Sequence, residues 1–414
     1  MPLVVDLDGT LIPSDLLWEG CVRFLLARPA QFWRLPVWLL RGRAVLKREL
    51  AARVRLDPGG LVYRQEVIRL IESARSQGRR VVLATASPRP WAEAVAGHLK
   101  MFDQVLATES VNLKGREKLA AIVESQGEAG FDYAGDSCAD LPLFEKARTA
   151  YYCGGWRCFR KLKAMRPDAA AVREGGMPIR DWVRQLRLRQ WVKNTLLAVP
   201  LIASGRAVTA ETAVSLLLGF LGFSLCASAV YCVNDLLDLP HDRKHPEKRS
   251  RPLARGAIEP SGALLASGLL LAAGLGISLF LPWQFVGLLA AYCCLSAAYV
   301  AWLKRIAALD VFSLAGLYTL RLFAGAFLFA EPIVLSTWLL AFSVFLFSSL
   351  ALAKRAAELI LTLRNPDERL PGRDYAAQDL ETIRALGVAC GVIAVLVLAL
   401  YVEESAVAAR LYAH

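Results

Sequence analysis

From Trp191 onward, apolar stretches close to bilayer-spanning length recur along the chain, and stretches of that length and polarity read as transmembrane helices. Seven candidate spans fall near 192–208, 213–233, 262–281, 284–303, 309–330, 334–353 and 384–402. The intervening segments at 180–193, 234–258, 304–305 and 354–384 are basic, whereas those at 204–212, 282–284, 331–333 and after 403 carry little or no positive charge. The two kinds alternate, which predicts a multi-pass protein of the bacterial inner membrane with its N-terminus in the cytoplasm. The apolar fraction of 56% belongs mostly to this half; residues 1–180 mix charged and apolar residues as a globular domain does.

The net charge of +12 raises nucleic acid as a partner, but much of the basic charge flanks the apolar spans, as in Arg180–Lys193 and Arg243–Arg255. Such clusters favour anionic headgroups, so the reading is no nucleic acid. The nine cysteines are scattered, without a CxxC pair or metal-like spacing, and read as small apolar residues in a reduced compartment. The N-terminal run PLVVDLDG reads as a strand entering acidic residues rather than as a signal peptide.

In the first half, short apolar strands at residues 1–12, Val81–Ala84, Val105–Thr108, Tyr133–Ala134 and Ala150–Tyr152 alternate with helical segments. That order predicts an α/β domain with a parallel sheet. Residues 14–75 read as helical, with a Trp- and Arg-rich stretch from Phe32 to Arg43, and 156–185 reads as a basic linker.

Asp6-Leu7-Asp8-Gly9-Thr10 follows the first strand, at the sheet edge where open α/β folds put ligands. One aspartate there can attack phosphorus while the other protonates the leaving oxygen and then activates water. Asp136 and Asp140, after a later strand, can complete a Mg²⁺ site. The hydroxyl of Thr85 can bind phosphate, with Ser87 competing for the role, and Lys114 can neutralise charge. The ordered set resembles the haloacid dehalogenase phosphatase superfamily over residues 1–155. The resemblance implies Asp6 as nucleophile, Asp8 as acid/base, Thr85 as phosphate ligand, Lys114 as charge neutraliser and Asp136 as metal ligand. It makes Asp140 a support of that shell and 14–75 a helical cap.

In the second half, Asp235, Asp238 and Asp242 lie at i, i+3 and i+7 where the 213–233 span ends, so on a helix they share a face. Three aligned carboxylates repel one another unless a cation sits among them, and Mg²⁺ with a diphosphate is a sensible occupant. Asn234 adds a neutral oxygen, and Lys248, Arg249 and Arg251 can grip phosphate. Asp310 and Arg321, charged within a span, are candidate cavity residues.

The run Asn234–Leu253 resembles the NDxxDxxxD…HPxKxxRP signature of the UbiA-type membrane prenyltransferases, over residues 186–414. The resemblance implies an all-helical bundle with Mg²⁺ bridging diphosphate to acidic residues. Where many relatives carry a second aspartate-rich motif, this chain has Leu352–Leu359, whose Lys354, Arg355 and Glu358 look more like the subgroup making polyprenyl-phosphoryl phosphoribose; Arg373 and Tyr375 lie on the same loop. The implied partners are a polyprenyl phosphate or diphosphate and a phosphorylated small molecule. The implied activity is transfer of phosphoribose to the lipid, followed by removal of the 5-phosphate by the fused domain. Prenyl transfer to an aromatic or quinone precursor stays open, as does a non-catalytic lipid-binding protein. The family usually has nine spans, so the expectation is a chain that stops two helices short.

Overall fold

The computed structural model describes residues 1–109, 113–127, 130–172, 179–362, 369–370 and 373–403. The chain divides into two compact units, Met1–Gln185 with Cys232–Leu265, and Leu186–Tyr231 with Ala266–His414.

The first unit is built on a parallel sheet of order β3-β2-β1-β4-β5-β6, formed by Leu3–Val5 (β1), Val81–Pro88 (β2), Gln104–Thr108 (β3), Asp132–Gly135 (β4), Ala150–Tyr152 (β5) and Ala170–Ala171 (β6). The strands β1, β2 and β4 are buried almost throughout, as strands covered on both faces are, and β1 and the first residues of β2 are continuous apolar runs. Helices Leu16–Ala27 (α1), Arg34–Leu40 (α2) and Arg43–Ala51 (α3) are inserted after β1, and Gln65–Ser76 (α4) returns the chain to β2. The others are Arg89–Leu99 (α5), Arg116–Gln126 (α6), Leu141–Lys146 (α7), Trp156–Met165 (α8) and Ile179–Gln185 (α9). The expected linker at 156–185 is corrected in its first part. Cys158 and Leu162 of α8 enter the core under the sheet, and β6 pairs with β5, because this segment carries apolar residues at helical spacing.

Among the described residues, six helices are long and apolar enough to cross a membrane: Ala210–Leu237 (α11), Pro260–Ser278 (α13), Trp283–Ala301 (α14), Leu309–Ala326 (α15), Thr337–Thr362 (α16) and Leu380–Glu403 (α17). The span expected at 192–208 is not among them. That stretch is a 3₁₀ segment, Leu188–Ala198, followed by a short helix, Val199–Ser204 (α10). Pro200 cannot continue a helical ladder from the preceding turn, and Gly205, at φ +65°, stops α10 after six residues. The apolar side chains Leu197 and Leu201 pack inside the bundle instead. Small residues set the helix spacing: a Cβ on Gly274 of α13 would meet the Cys226 sulfur of α11 at 2.7 Å.

Candidate functional site

Three polar clusters stand out, one at the sheet edge, one where α11 ends and one in the helical bundle.

At the sheet edge, β1 delivers Asp6 and β4 delivers Asp136. The Asp6 amide donates to the Ala134 carbonyl (2.9 Å), which pins the first loop against β4. Gly9 has φ +72°, and a Cβ there would lie 2.1 Å from Asp136 Oδ2, so only glycine lets the loop pass the acid. The Asp6, Asp136 and Asp140 carboxylates converge, with one oxygen from each within 4.8 Å of the others. Lys118 Nζ lies 2.9 Å from Asp6 Oδ2 and 3.6 Å from Asp140 Oδ1. Asp8 is held separately: the Leu16 amide donates to Oδ1 (2.8 Å), and the hydroxyls of Ser87 (2.6 Å) and Thr85 (3.3 Å) donate to Oδ2.

Burial pushes the Asp6 carboxyl up to about 7, partly offset by Lys118. Burial and then the charges of Asp6 and Asp140 drive Asp136 well above the ordinary carboxylate range. Burial pulls Lys118 down, but Asp6 and Asp140 outweigh it and the ammonium is held above its usual value. Three acids facing one ammonium leave excess negative charge that fits a hard divalent cation. These residues line a cavity of 280 Å³ that also receives Arg43, Lys47 and Trp18 from the inserted helices and Glu259, Pro260 and Ser261 from the start of α13.

The expected charge neutraliser needs correcting. Lys114 lines the cavity, but the buried lysine paired with Asp6 is Lys118, one turn into α6. Gly115, at φ +58°, turns the chain into that helix and directs Lys118 inward. The cysteine reading also changes, since Cys138, between Asp136 and Asp140, is disulfide-bonded to Cys158 of α8.

The second cluster spans the end of α11 and the short helix Leu239–Lys244 (α12). The Asp238 amide donates to the Asn234 carbonyl and the Asp242 amide to the Asp238 carbonyl, both at 2.8 Å, so helical spacing persists across the junction. Asp235 and Asp242 are buried. Gln185 Nε2 donates to Asp235 Oδ2 (2.9 Å) and Asn234 Nδ2 to Asp238 Oδ2 (3.0 Å). Arg251 reaches both Asp235 Oδ1 (3.2 Å) and Asp242 Oδ2. This departs from the expected role at phosphate: Arg251 is drawn inward because the acid face attracts the nearest guanidinium. Lys248 and Arg249 stay exposed. Burial raises the Asp242 carboxyl, and Arg251 opposes it. The next residue, Arg243, is buried against Glu19 of α1 (2.7 Å), and Glu19 accepts from Ser14 Oγ (2.9 Å) in the loop after Asp8.

In the bundle, Asp310 and Arg355 are both fully buried and paired. Arg373 Nη1 (2.9 Å) and the Tyr299 hydroxyl (2.8 Å) also reach Asp310 Oδ1, and Glu358 pairs with Arg355. Tyr375 accepts the Ala308 amide (3.1 Å), which ties the loop down, and Lys354 is exposed. Arg321 does not join this group. It donates to Asn194 Oδ1 and the Tyr292 hydroxyl, both 2.9 Å, and packs on the rings of Phe223, Tyr292 and Tyr318.

Residues 195–359 match the UbiA prenyltransferase family and residues 3–145 match haloacid dehalogenase-like hydrolases. The chain is 38% identical to "Uncharacterized protein y4nM" of Sinorhizobium fredii, over all of this chain and 80% of that protein. It is 36% identical to "Nodulation protein NoeC" of Azorhizobium caulinodans, over 56% of this chain and 75% of the relative. The C-terminal region carries a UbiA prenyltransferase-family domain. The chain is an enzyme with a haloacid dehalogenase-like domain fused at its N-terminal side, and its six apolar helices make it a multi-pass membrane protein. A further relative of this UbiA-domain chain is "Decaprenyl-phosphate phosphoribosyltransferase" of Mycolicibacterium smegmatis, 38% identical over 44% of this chain and 58% of that one. A solved UbiA homolog from Archaeoglobus fulgidus, described as bound to DMAPP and Mg²⁺, aligns with 55% of this chain and 80% of that one at 18% identity and a TM-score of 0.45.

Residues that sequence reasoning missed in this UbiA-domain chain are Lys118, Gln185, Tyr299, Asn194 and the Glu19–Arg243 pair.

Proposed function

We propose that this chain transfers phosphoribose from phosphoribosyl diphosphate to a polyprenyl phosphate, with Mg²⁺, at the cytoplasmic face of a bacterial inner membrane, and that its N-terminal domain removes the 5-phosphate from the product. The observation that carries the reading is the charge balance of the bundle cluster. Asp310 and Glu358 are matched by Arg355 and Arg373, with Lys354 left over. A second divalent cation needs surplus carboxylates, and among the described residues this group has none; an anionic acceptor is better served by the surplus cation. Relatives named decaprenyl-phosphate phosphoribosyltransferase, 36–38% identical, support the same reading.

In the transfer, a phosphate oxygen of the lipid attacks the anomeric carbon while the bond to diphosphate breaks. Asn234, Asp235, Asp238 and Asp242 would hold Mg²⁺, which would neutralise the leaving diphosphate. Lys248 and Arg249, exposed beside them, are free to reach its oxygens, and Arg251 holds two of the acids. In the second reaction the Asp6 carboxylate attacks phosphorus, and protonated Asp8 gives its proton to the departing sugar oxygen. Asp8 then takes a proton from water, which displaces Asp6 from phosphorus. Thr85 and Ser87 orient Asp8, Lys118 offsets the charge of Asp6, and Asp6, Asp136 and Asp140 would hold the second Mg²⁺.

The two activities should separate. Asp238→Asn in the full chain is expected to abolish formation of lipid-linked sugar and leave hydrolysis of a soluble sugar phosphate intact. Transfer of a prenyl group to an aromatic acid, with none of phosphoribose to lipid phosphate, would overturn the assignment.

A further inference from the structure

The short helix α2 is amphipathic the wrong way round for a water-facing element. Its buried arc holds Trp38, packed edge-on against Phe24 at 5.2 Å, with the partly buried Leu35 and Arg34. Phe32 and Trp33, in right-handed helical backbone, extend it at the N-terminal end. At 100° per residue, Leu39, Phe32, Pro36, Leu40, Trp33 and Val37 fall on one arc of about 160°. Every one of them is exposed, Leu40 at 89%, and none is polar. Singly exposed apolar residues are ordinary, but a helix face made only of them marks an interaction surface.

Charge identifies the occupant. From Gly20 to Arg48 the chain carries seven basic residues, Arg23, Arg28, Arg34, Arg41, Arg43, Lys47 and Arg48, and no acid. Arg28 and Arg41 are exposed at the two ends of the apolar face. Tryptophan, phenylalanine and leucine bordered by arginine match the boundary between anionic headgroups and acyl chains. The same chain is anchored in a bilayer by its long helices, so the surface is always nearby and docking costs little association entropy.

We propose that this face of the inserted helical segment seats in the headgroup region of an anionic bilayer, holding the phosphatase domain against the lipid surface. The helix has seven residues, so its amides exchange with water readily unless they are covered. The test is hydrogen exchange of residues 31–41 in the full-length protein, one copy per lipid nanodisc. Exchange should be about tenfold slower in discs containing phosphatidylglycerol than in zwitterionic discs, and high salt should remove the difference. Leu40→Asp should return both to the fast rate while hydrolysis of a soluble phosphate ester stays unchanged, which shows the domain is folded. Equal rates in the two lipids, or protection that survives Leu40→Asp, would overturn the proposal. Protection found only in discs holding two copies would assign the face to a second copy of the chain instead.

Discussion

Two groups of three aspartates lie in this chain, and they are assembled in opposite ways. Asp6, Asp136 and Asp140 come from two strand ends and a following turn, and 134 residues separate the first from the last. Asp235, Asp238 and Asp242 come from eight consecutive positions of nearly continuous helix. The dispersed group is partly offset by an ammonium from a third element, Lys118, and the contiguous group by a guanidinium nine residues past its last acid, Arg251. Local spacing therefore reveals the second group's geometry in full, whereas the first group's depends on the order of strands in the sheet.

The sharpest break between the two sites is Asp6→Asn. Loss of this proposed nucleophile should lower phosphate hydrolysis by about 10³-fold or more and leave lipid transfer untouched, measured as separate rates on one preparation. Lys118→Ala should cost the same hydrolysis about 10²-fold, through charge left uncompensated at Asp6, and Lys114→Ala less than about tenfold. If the two lysine variants fell equally, the assignment of Lys118 would be wrong.

That pair also measures what was legible in advance. The α/β class, the helical bundle, the meeting of Asp6 with Asp136 and the helical spacing of Asp235, Asp238 and Asp242 were readable, because each follows from a pattern a few residues long or from span-length apolar runs. Lys118 was not, since its role depends on Gly115 turning α6 toward a strand end more than a hundred residues earlier. The stretch 192–208 was misread as a span because composition counts apolar residues without registering that Pro200 and Gly205 cut the helix short. Asp310, Arg355, Glu358 and Arg373 were each singled out, but their closure into one balanced group around Asp310 depends on helix packing that no local pattern encodes.

Stability distinguishes the buried pairs. Arg355→Met leaves Asp310 short of a partner in an apolar bundle and should destabilise the fold by about 3 kcal/mol, read as a lower midpoint in thermal unfolding of the detergent-solubilised protein. A surface pair behaves differently: Lys244→Ala, which removes the exposed contact to Asp57, should change stability by less than about 1 kcal/mol.

A pH response should arise at the dispersed acids. Burial raises Asp6 to about 7, so the folded domain keeps a proton that the unfolded chain has already released. Without a divalent cation, stability should fall as pH rises toward 7, and hydrolysis at limiting Mg²⁺ should decline as pH drops below about 7. Saturating Mg²⁺ should move that midpoint downward, because cation and proton compete for the same oxygens; pH–rate profiles at two Mg²⁺ concentrations would show it.

One product tests the coupled transfer and hydrolysis most directly. Full-length protein given polyprenyl phosphate, phosphoribosyl diphosphate and Mg²⁺ should yield a lipid whose mass is that of the acceptor plus ribose without its 5-phosphate, and Asp6→Asn should yield the same lipid one phosphate heavier. An unchanged lipid mass with the wild-type chain would contradict it.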